Sequence, residues 1–369
     1  MASIIIADCT GRYSGPDYER RPLGGTESSV IQCARELARR GHAVTVYSNC
    51  DAPVTDRGVS WMPLDTPARP ETCDLFIACQ QPRLFGFVRR PRRLAVWVLW
   101  PVSQLKHYKK LWPMWRYRPI PLLMSLYQAK TYSPLLPKAN PKIVLPLGLP
   151  DDVRGQAALT AAPPRRAIFA SNPHRNLRRV VDIWVQSVLP RVPDAVLDVY
   201  GLNGVTTNEE TWKLWEGTLL PAGLPPQIKA TVRLHHPVSR AELIRAMRGA
   251  RVMPYLGHKA EAFCLSVAEA QALGVPAAVA PRTVLPERVI DDLTGFVRAD
   301  AGEFADCMVN LLTDDTLWRR QHEAALKYQQ GISWSEYAGR LENALLGDRF
   351  PIYRSVTALP PDGRDATSL

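Results

Sequence analysis

The chain has 369 residues, 46% hydrophobic and 22% charged, with a formal charge of +11. That length exceeds one ordinary core and suits two domains of a soluble globular protein. The best apolar run, LAVWVLW at 94–100, stops at Pro101, well short of the ~20 residues that a membrane-spanning helix needs.

The opening MASIIIADCTG has no basic n-region and reaches Asp8 within a few residues, so 3–8 reads as a buried β-strand, not an export signal. A long loop ends in LGGTE. The following SSVIQCARELARRG places Val30, Ile31, Ala34, Leu37 and Ala38 at helical spacing, with Thr26 as N-cap and Gly41 as stop. HAVTVYSN completes a strand–loop–helix–strand unit, and CDLFIACQ, RLAVWVLW and KIVLPL read as further strands. The Pro- and Ala-rich LPDDVRGQAALTAAPPRR separates this half from the next.

The second half alternates in the same way, with AIFASN, AVLDVYG, ATVRLHH, ARVMPY and VPAAVAP as strands and SRAELIRAMRG among the helices. NLRRVVDIWVQSVL carries an apolar stripe of Leu177, Val180, Val181, Trp184 and Val188. Residues 205–228 read as an insertion in which Trp212 and Trp215 find no place. The expected fold is α/β, two doubly wound Rossmann-like domains facing across a cleft where ligands would bind at the strand carboxyl ends. The expected boundaries are 1–150, a linker 151–165, a second domain 166–333, a helix 334–346 returning to the first domain, and a poorly ordered tail 347–369. Seven scattered cysteines with no C-x-x-C pair argue against a zinc site or disulfide framework and suit a reducing cytosol.

Charge is unevenly spread. From Leu75 to Pro150 there is no Asp or Glu against thirteen Lys and Arg, which leaves −2 of the +11 for the rest of the chain. Arg89, Arg90, Arg92 and Arg93 form one cluster, and Lys106, Lys109, Lys110, Arg116 and Arg118 a second, interleaved with Tyr108, Trp112, Trp115 and Tyr117. A localised field of this kind implies an anionic partner. Cations beside Trp and Tyr suit the interface of an anionic membrane. Nucleic acid, with rings stacking on bases, is the competing partner and is not expected.

In EAFCLSVAEAQALGVP, 261–276, two glutamates bracket seven uncharged residues before a Gly-Val-Pro. A helix starting near Cys264 or Leu265 would be largely buried, and the free amides of its first turn suit an anion such as a diphosphate. Glu269, one turn further in, could accept hydrogen bonds from vicinal hydroxyls. Spacing alone favours the plainer reading, with Glu261 a solvated loop residue and Glu269 a polar position on an amphipathic helix.

That stretch resembles the E-x7-E signature of family-4 glycosyltransferases with the GT-B fold. GGTESSVIQCARELARRGHAVTVYS, NPHRNLRRVVDIW and LPERVIDDLTGFV resemble three further family segments, so the likeness spans about 3–345. The resemblance implies a retaining transferase that uses a nucleotide-diphosphate sugar. Glu261 would touch hydroxyls of the transferred sugar and Glu269 the ribose hydroxyls. Amides of Phe263, Cys264, Leu265 and Ser266 would cradle sugar and diphosphate, and Gly24 and Gly25 would approach it as only glycine can. Arg175 falls where the family has a phosphate-binding Lys, and a cation at that helix start opposes the dipole, which favours a ligand. Glu287 reads as a helix-start residue.

Two departures stand out. Ala170-Ser171-Asn172 replaces a second basic residue, leaving Arg175 alone or helped by His174 or Arg178, and Trp100 takes the place of a usual His. The leaving phosphate itself can act as base in such enzymes. No carboxylate base, no D-x-D motif and no metal or other cofactor is expected. The expected acceptor is a glycan or lipid-linked molecule of surface polysaccharide or lipopolysaccharide type, and the expected location cytoplasmic, at the inner face of the membrane. A sugar-nucleotide epimerase and a non-catalytic nucleotide-sugar-binding scaffold are the alternatives.

Overall fold

β1 (Ser3–Ala7) lies inside an eight-stranded sheet in the computed structural model, which describes residues 1–138, 141–201, 213 and 217–347. Ile4, Ile5 and Ile6 are buried, as a strand covered on both faces requires. Its neighbours are β2 (Ala43–Ser48), β3 (Val54–Asp56), β4 (Val59–Pro63), β5 (Thr72–Cys79), β6 (Arg90–Val98), β7 (Ile120–Leu123) and β8 (Ile143–Val144). The order is β3-β4-β2-β1-β5-β6-β7-β8, and only the β3–β4 pair is antiparallel. Helix Gly25–Arg39 buries Val30, Ile31, Ala34 and Leu37. It begins two residues earlier than expected, so Thr26 is not its cap. The Thr26 hydroxyl instead accepts from Gln80 Nε2 at 3.2 Å. Gly41, at φ +89°, terminates it.

By contacts the chain forms two units, Met1–Glu19, Thr26–Leu147 and the chain from Trp334 on one side, and Arg20–Gly25 with Gly148–Ser333 on the other. Helix Trp334–Leu345 belongs to the first unit because it fills the sheet's core. Tyr337 stacks on Trp97 with centroids 5.8 Å apart, both fully buried, beside buried Leu341. Arg40 pairs with Glu342 at 2.7 Å, and Arg93 donates to the Leu345 and Gly347 carbonyls at 2.7 and 2.9 Å.

The second unit holds β9 (Arg166–Ala170), β10 (Val196–Tyr200), β11 (Val232–Leu234), β12 (Met253–Tyr255), β13 (Ala277–Val279) and β14 (Gly295–Val297). The ladders β11-β10-β9 and β12-β13-β14 meet where Arg251 N donates to the Arg166 carbonyl at 2.8 Å and Ile168 N to the Val252 carbonyl at 3.0 Å. Strand order therefore reverses between β9 and β12, the crevice where doubly wound sheets take ligands. Helix Leu177–Ile183 runs on as a π-turn, Trp184–Val188, and buries the whole expected stripe.

Residues 151–165 are packed onto the second unit and are not a free linker. Val153 is fully buried, Asp152 pairs with Arg240 at 2.5 Å, and the Pro163 carbonyl accepts from Arg251 Nε at 2.6 Å. Trp212, Trp215 and the tail beyond 347 lie outside the described residues.

Leu341→Ala should lower the stability of the first unit by about 2–5 kcal/mol, the usual cost of a truncated core leucine. Urea unfolding, followed by amide exchange in β1 and β6, will measure it.

Candidate functional site

The strand reversal brings Ser171, just past β9, to Tyr255, the last residue of β12, with Ser171 Oγ 3.3 Å from the Tyr255 hydroxyl. That hydroxyl donates to Glu261 Oε1 at 2.6 Å, and Arg175 Nη1 stands 3.2 Å from the same oxygen. Glu261 is only 6% exposed, so these two partners are what make its burial tolerable. Burial raises the Tyr255 pKa well above its ordinary value, which keeps the hydroxyl a donor. Arg175 comes from the turn after β9, where Asn176 takes φ 66° and its amide donates to the Gly257 carbonyl.

Beyond Glu261 the chain enters helix Leu265–Ala272 through Cys264, a non-glycine residue at φ 65°. That conformation costs roughly 1–2 kcal/mol and turns the chain abruptly into the helix. No side chain among the described residues caps it, and its first intrahelical bond runs from Ala268 N to the Cys264 carbonyl at 3.1 Å. The first-turn amides of Leu265 and Ser266 have no intrahelical acceptor. Burial pushes the Cys264 thiol up to about 12, so it is an inert packing group. Phe263 is buried beneath the guanidinium of Arg288, 4.4 Å from its ring centroid.

Glu269 is mostly buried and meets Arg240 Nη2 at 3.1 Å, while Arg240 is gripped by Asp152 at 2.5 and 2.8 Å. Burial raises the Glu269 pKa above its ordinary value near 4.5, and Arg240 opposes that rise. Within the same unit, a Cβ on Gly25 would meet Leu265 Cδ1 at 3.0 Å, so a side chain there would crowd the start of the helix. Gly24 is exposed beside it. The structure thus gathers Arg175, Glu261, Phe263, Cys264, Leu265, Ser266, Glu269 and Gly25 into one neighbourhood. Arg178 does not join them. It pairs with Asp182 at 3.0 Å and donates to the Thr218 carbonyl at 3.0 Å.

The basic segment does not form one surface. β6 is nine residues long, roughly 30 Å at about 3.3 Å each, and separates its two halves. Arg89, Arg90, Arg92 and Arg93 lie at its amino end, where Arg90 pairs with Glu71 at 2.8 Å and Arg93 is committed to the C-terminal helix. Lys106 and helix Tyr108–Tyr117, with Lys109, Lys110 and Arg116, then Arg118, follow its carboxyl end. There Trp112 is 70% and Trp115 46% exposed. Lys110 lies 5.6 Å over the ring of Trp100, and Trp115 Nε1 donates to the Leu135 carbonyl at 2.9 Å.

Sequence reasoning missed Tyr255, six residues before the motif, and Ser171, Arg240, Asp152 and Arg288, which come from other elements. It also missed a cavity of about 350 Å³ in the first unit, lined by Cys9, Asn49, Asp65, Arg69, Arg83 and Phe87 among others. Cys9, Asn49 and Asp65 follow the carboxyl ends of β1, β2 and β4, a position visible from strand order alone. Among the described residues no group of three or more His, Cys, Asp or Glu is placed to hold a metal ion.

Residues 174–328 match the family model described as Glycosyl transferases group 1. Arg175, Glu261 and Glu269 all lie within this matched stretch, and the chain has the GT-B fold. The D-inositol 3-phosphate glycosyltransferase of Corynebacterium aurimucosum is 33% identical over 118 residues, 31% of this chain and 28% of that protein. The chain thus spans less than a third of that relative's length. Among solved structures, sucrose-phosphate synthase from Thermosynechococcus elongatus has TM-score 0.71 at 15% identity, covering 95% of this chain and 100% of the other. HepE of Anabaena, in complex with UDP-glucose, has TM-score 0.69 at 14% identity, covering 94% and 100%. WaaG, a glycosyltransferase involved in lipopolysaccharide biosynthesis, has TM-score 0.65 at 15% identity, covering 93% and 100%. The fold read from the E-x7-E stretch and the glycine loop therefore holds, and the E-x7-E stretch itself lies inside the match to a glycosyltransferase family model.

Two substitutions probe this network. Tyr255→Phe leaves Glu261 one donor short and should cost about 1–3 kcal/mol in thermal or urea unfolding. Because the folded Glu269 carboxyl keeps its proton to higher pH than the unfolded one, it favours folding below its ordinary value near 4.5. That advantage is lost as the pH climbs through the raised value. Arg240→Met should enlarge this loss by about 1–2 kcal/mol, seen as urea stability that falls more steeply with pH than in wild type. Adding Glu269→Gln should remove the extra slope.

Proposed function

We propose that the chain is a retaining glycosyltransferase that moves a sugar from a nucleotide-diphosphate sugar to a glycan or lipid-linked acceptor in surface polysaccharide or lipopolysaccharide-type synthesis. The observation that carries the reading is the buried Glu261–Tyr255–Arg175 network at the strand reversal, one step ahead of a helix with open first-turn amides. A diphosphate would sit against those amides and Arg175. Glu261 would hold the sugar's hydroxyls and Glu269 the ribose.

The bond between the anomeric carbon and the diphosphate oxygen breaks as Arg175 and the amides take up the charge that develops on the leaving group. The acceptor hydroxyl attacks the same face, and its proton passes to a departing phosphate oxygen. No carboxylate base is needed, and guanidinium groups supply the positive charge with no metal or other cofactor assigned. The match of 174–328 to a transferase family supports this assignment. The first-unit cavity, with Arg69 and Arg83 beside Phe87, suits an acceptor that carries phosphate or carboxylate.

The exposed Trp112 and Trp115, on a helix that also carries Lys109, Lys110 and Arg116, support contact with the headgroups of an anionic membrane, with the cytoplasmic face as the working location. No helix of the described residues is long and apolar enough to cross a membrane.

The purified chain, offered a panel of nucleotide sugars, should slowly hydrolyse its donor and release nucleoside diphosphate. Interconversion of the sugars would instead mark an epimerase, and binding without turnover a scaffold. Glu269→Ala should weaken donor binding by about 1–3 kcal/mol in calorimetry, and unchanged affinity would displace the ribose from Glu269. Binding to phosphatidylglycerol-containing liposomes should fall steeply with salt and drop further in Trp112→Ala/Trp115→Ala. Binding indifferent to salt and lipid charge would remove the membrane contact.

A further inference from the structure

Three guanidinium groups border the neighbourhood of Glu261 and the helix opening, and their hydrogen bonds differ. Arg240 is committed to Asp152 and Glu269. Arg175 faces Glu261 at 3.2 Å but leaves its Nη1 buried without a hydrogen-bond acceptor among the described residues. Arg288 is the least satisfied of the three. Its side chain is 15% exposed, its Nε is fully buried with no acceptor among the described residues, and the carboxylate oxygen of Glu287 stops at 4.0 Å from Nη2. That is beyond hydrogen-bond reach. Its guanidinium lies instead over the face of Phe263 at 4.4 Å, and an aromatic face satisfies none of a guanidinium's five N–H groups.

A buried cation without an acceptor destabilises a free protein, and burial lowers the pKa of Arg288 from its ordinary value. A chain retains such a group where an anion completes it. The anion's place is narrow. Arg175 touches one end of the loop 261–264 and Arg288 stacks on Phe263 at the other, directly before the open amides of Leu265 and Ser266. Lys259 and Arg282 also lie near His258, but both are exposed and screened by water.

We propose that Arg288 binds the donor's diphosphate together with Arg175, contacting the phosphate nearer the transferred sugar. The inference rests on the glycosyl-transfer reading and deepens it. Glu269, the expected ribose ligand, lies further along the helix than Phe263 and Cys264, so the cation beside those two residues meets the sugar-proximal phosphate. Its bidentate fork suits that oxygen pair. Arg288 supplies the second positive group that Ala170-Ser171-Asn172 lacks.

The test uses the full chain and calorimetric titration with UDP, GDP, ADP and the corresponding monophosphates. If wild type binds none of them, the glycosyl-transfer reading itself falls, whatever Arg288 does. Given a diphosphate that wild type binds, Arg288→Met should weaken it by about ten- to a hundredfold while the monophosphate changes less than about threefold. Arg288→Lys should recover part of the loss, since it restores the charge without the fork. The melting temperature of unliganded Arg288→Met should equal or exceed that of wild type, because the substitution removes an unsatisfied buried charge. A structural role predicts the opposite pattern: a lower melting temperature, with mono- and diphosphate affinities falling together. That result, or unchanged diphosphate affinity, overturns the proposal.

Discussion

The second unit is organised around one hydrogen bond, from the Tyr255 hydroxyl to the Glu261 carboxylate at 2.6 Å. It lies at the end of β12, beside the point where strand order reverses, and it determines where the loop from Gly257 to Cys264 can run. A buried carboxylate without partners would be costly. Tyr255 below and Arg175 beside it turn that cost into a fixed orientation, and the strained backbone of Cys264 persists because the loop before it is held. The opening of helix Leu265–Ala272 is therefore placed by side chains from two separate strand ends, those of β9 and β12.

The parts legible in the sequence were those whose signal is local. The Ile run of β1, the helical spacing after the glycine pair and the stripe from Leu177 to Val188 each specify an element through burial of one face. β7 escaped notice because IPLL sits among prolines and basic residues, where its neighbours β6 and β8, and not its own composition, make it a strand. The β3–β4 hairpin turns on Arg57-Gly58, both at positive φ, a pair less telling than Asn-Gly. At the site, the two glutamates could be found by their spacing. Their partners could not, since Tyr255, Arg240 and Arg288 approach from other elements and only the folded chain shows which carboxylate or ring each one serves.

Uneven charge proved a partial guide. The acid-free stretch from Leu75 to Pro150 is real in the sequence, but a β-strand is long enough to carry its two halves to opposite ends of a sheet. One half is spent on Glu71 and the C-terminal helix, and the other surrounds exposed tryptophans. Net charge over a segment says which partner chemistry is possible. The direction of each strand decides which cations share a face.

The return of helix Trp334–Leu345 to the sheet of the first unit carries a consequence for biogenesis. Trp97 emerges from the ribosome long before Tyr337, its stacking partner, so β6 must wait until 148–333 has been made before that flank of its core closes. Residues 148–333 face no such delay and can mature while synthesis continues. The half made first is thus the half finished last, and a nascent chain halted before Trp334 would expose an apolar strand flank, a natural target for chaperones.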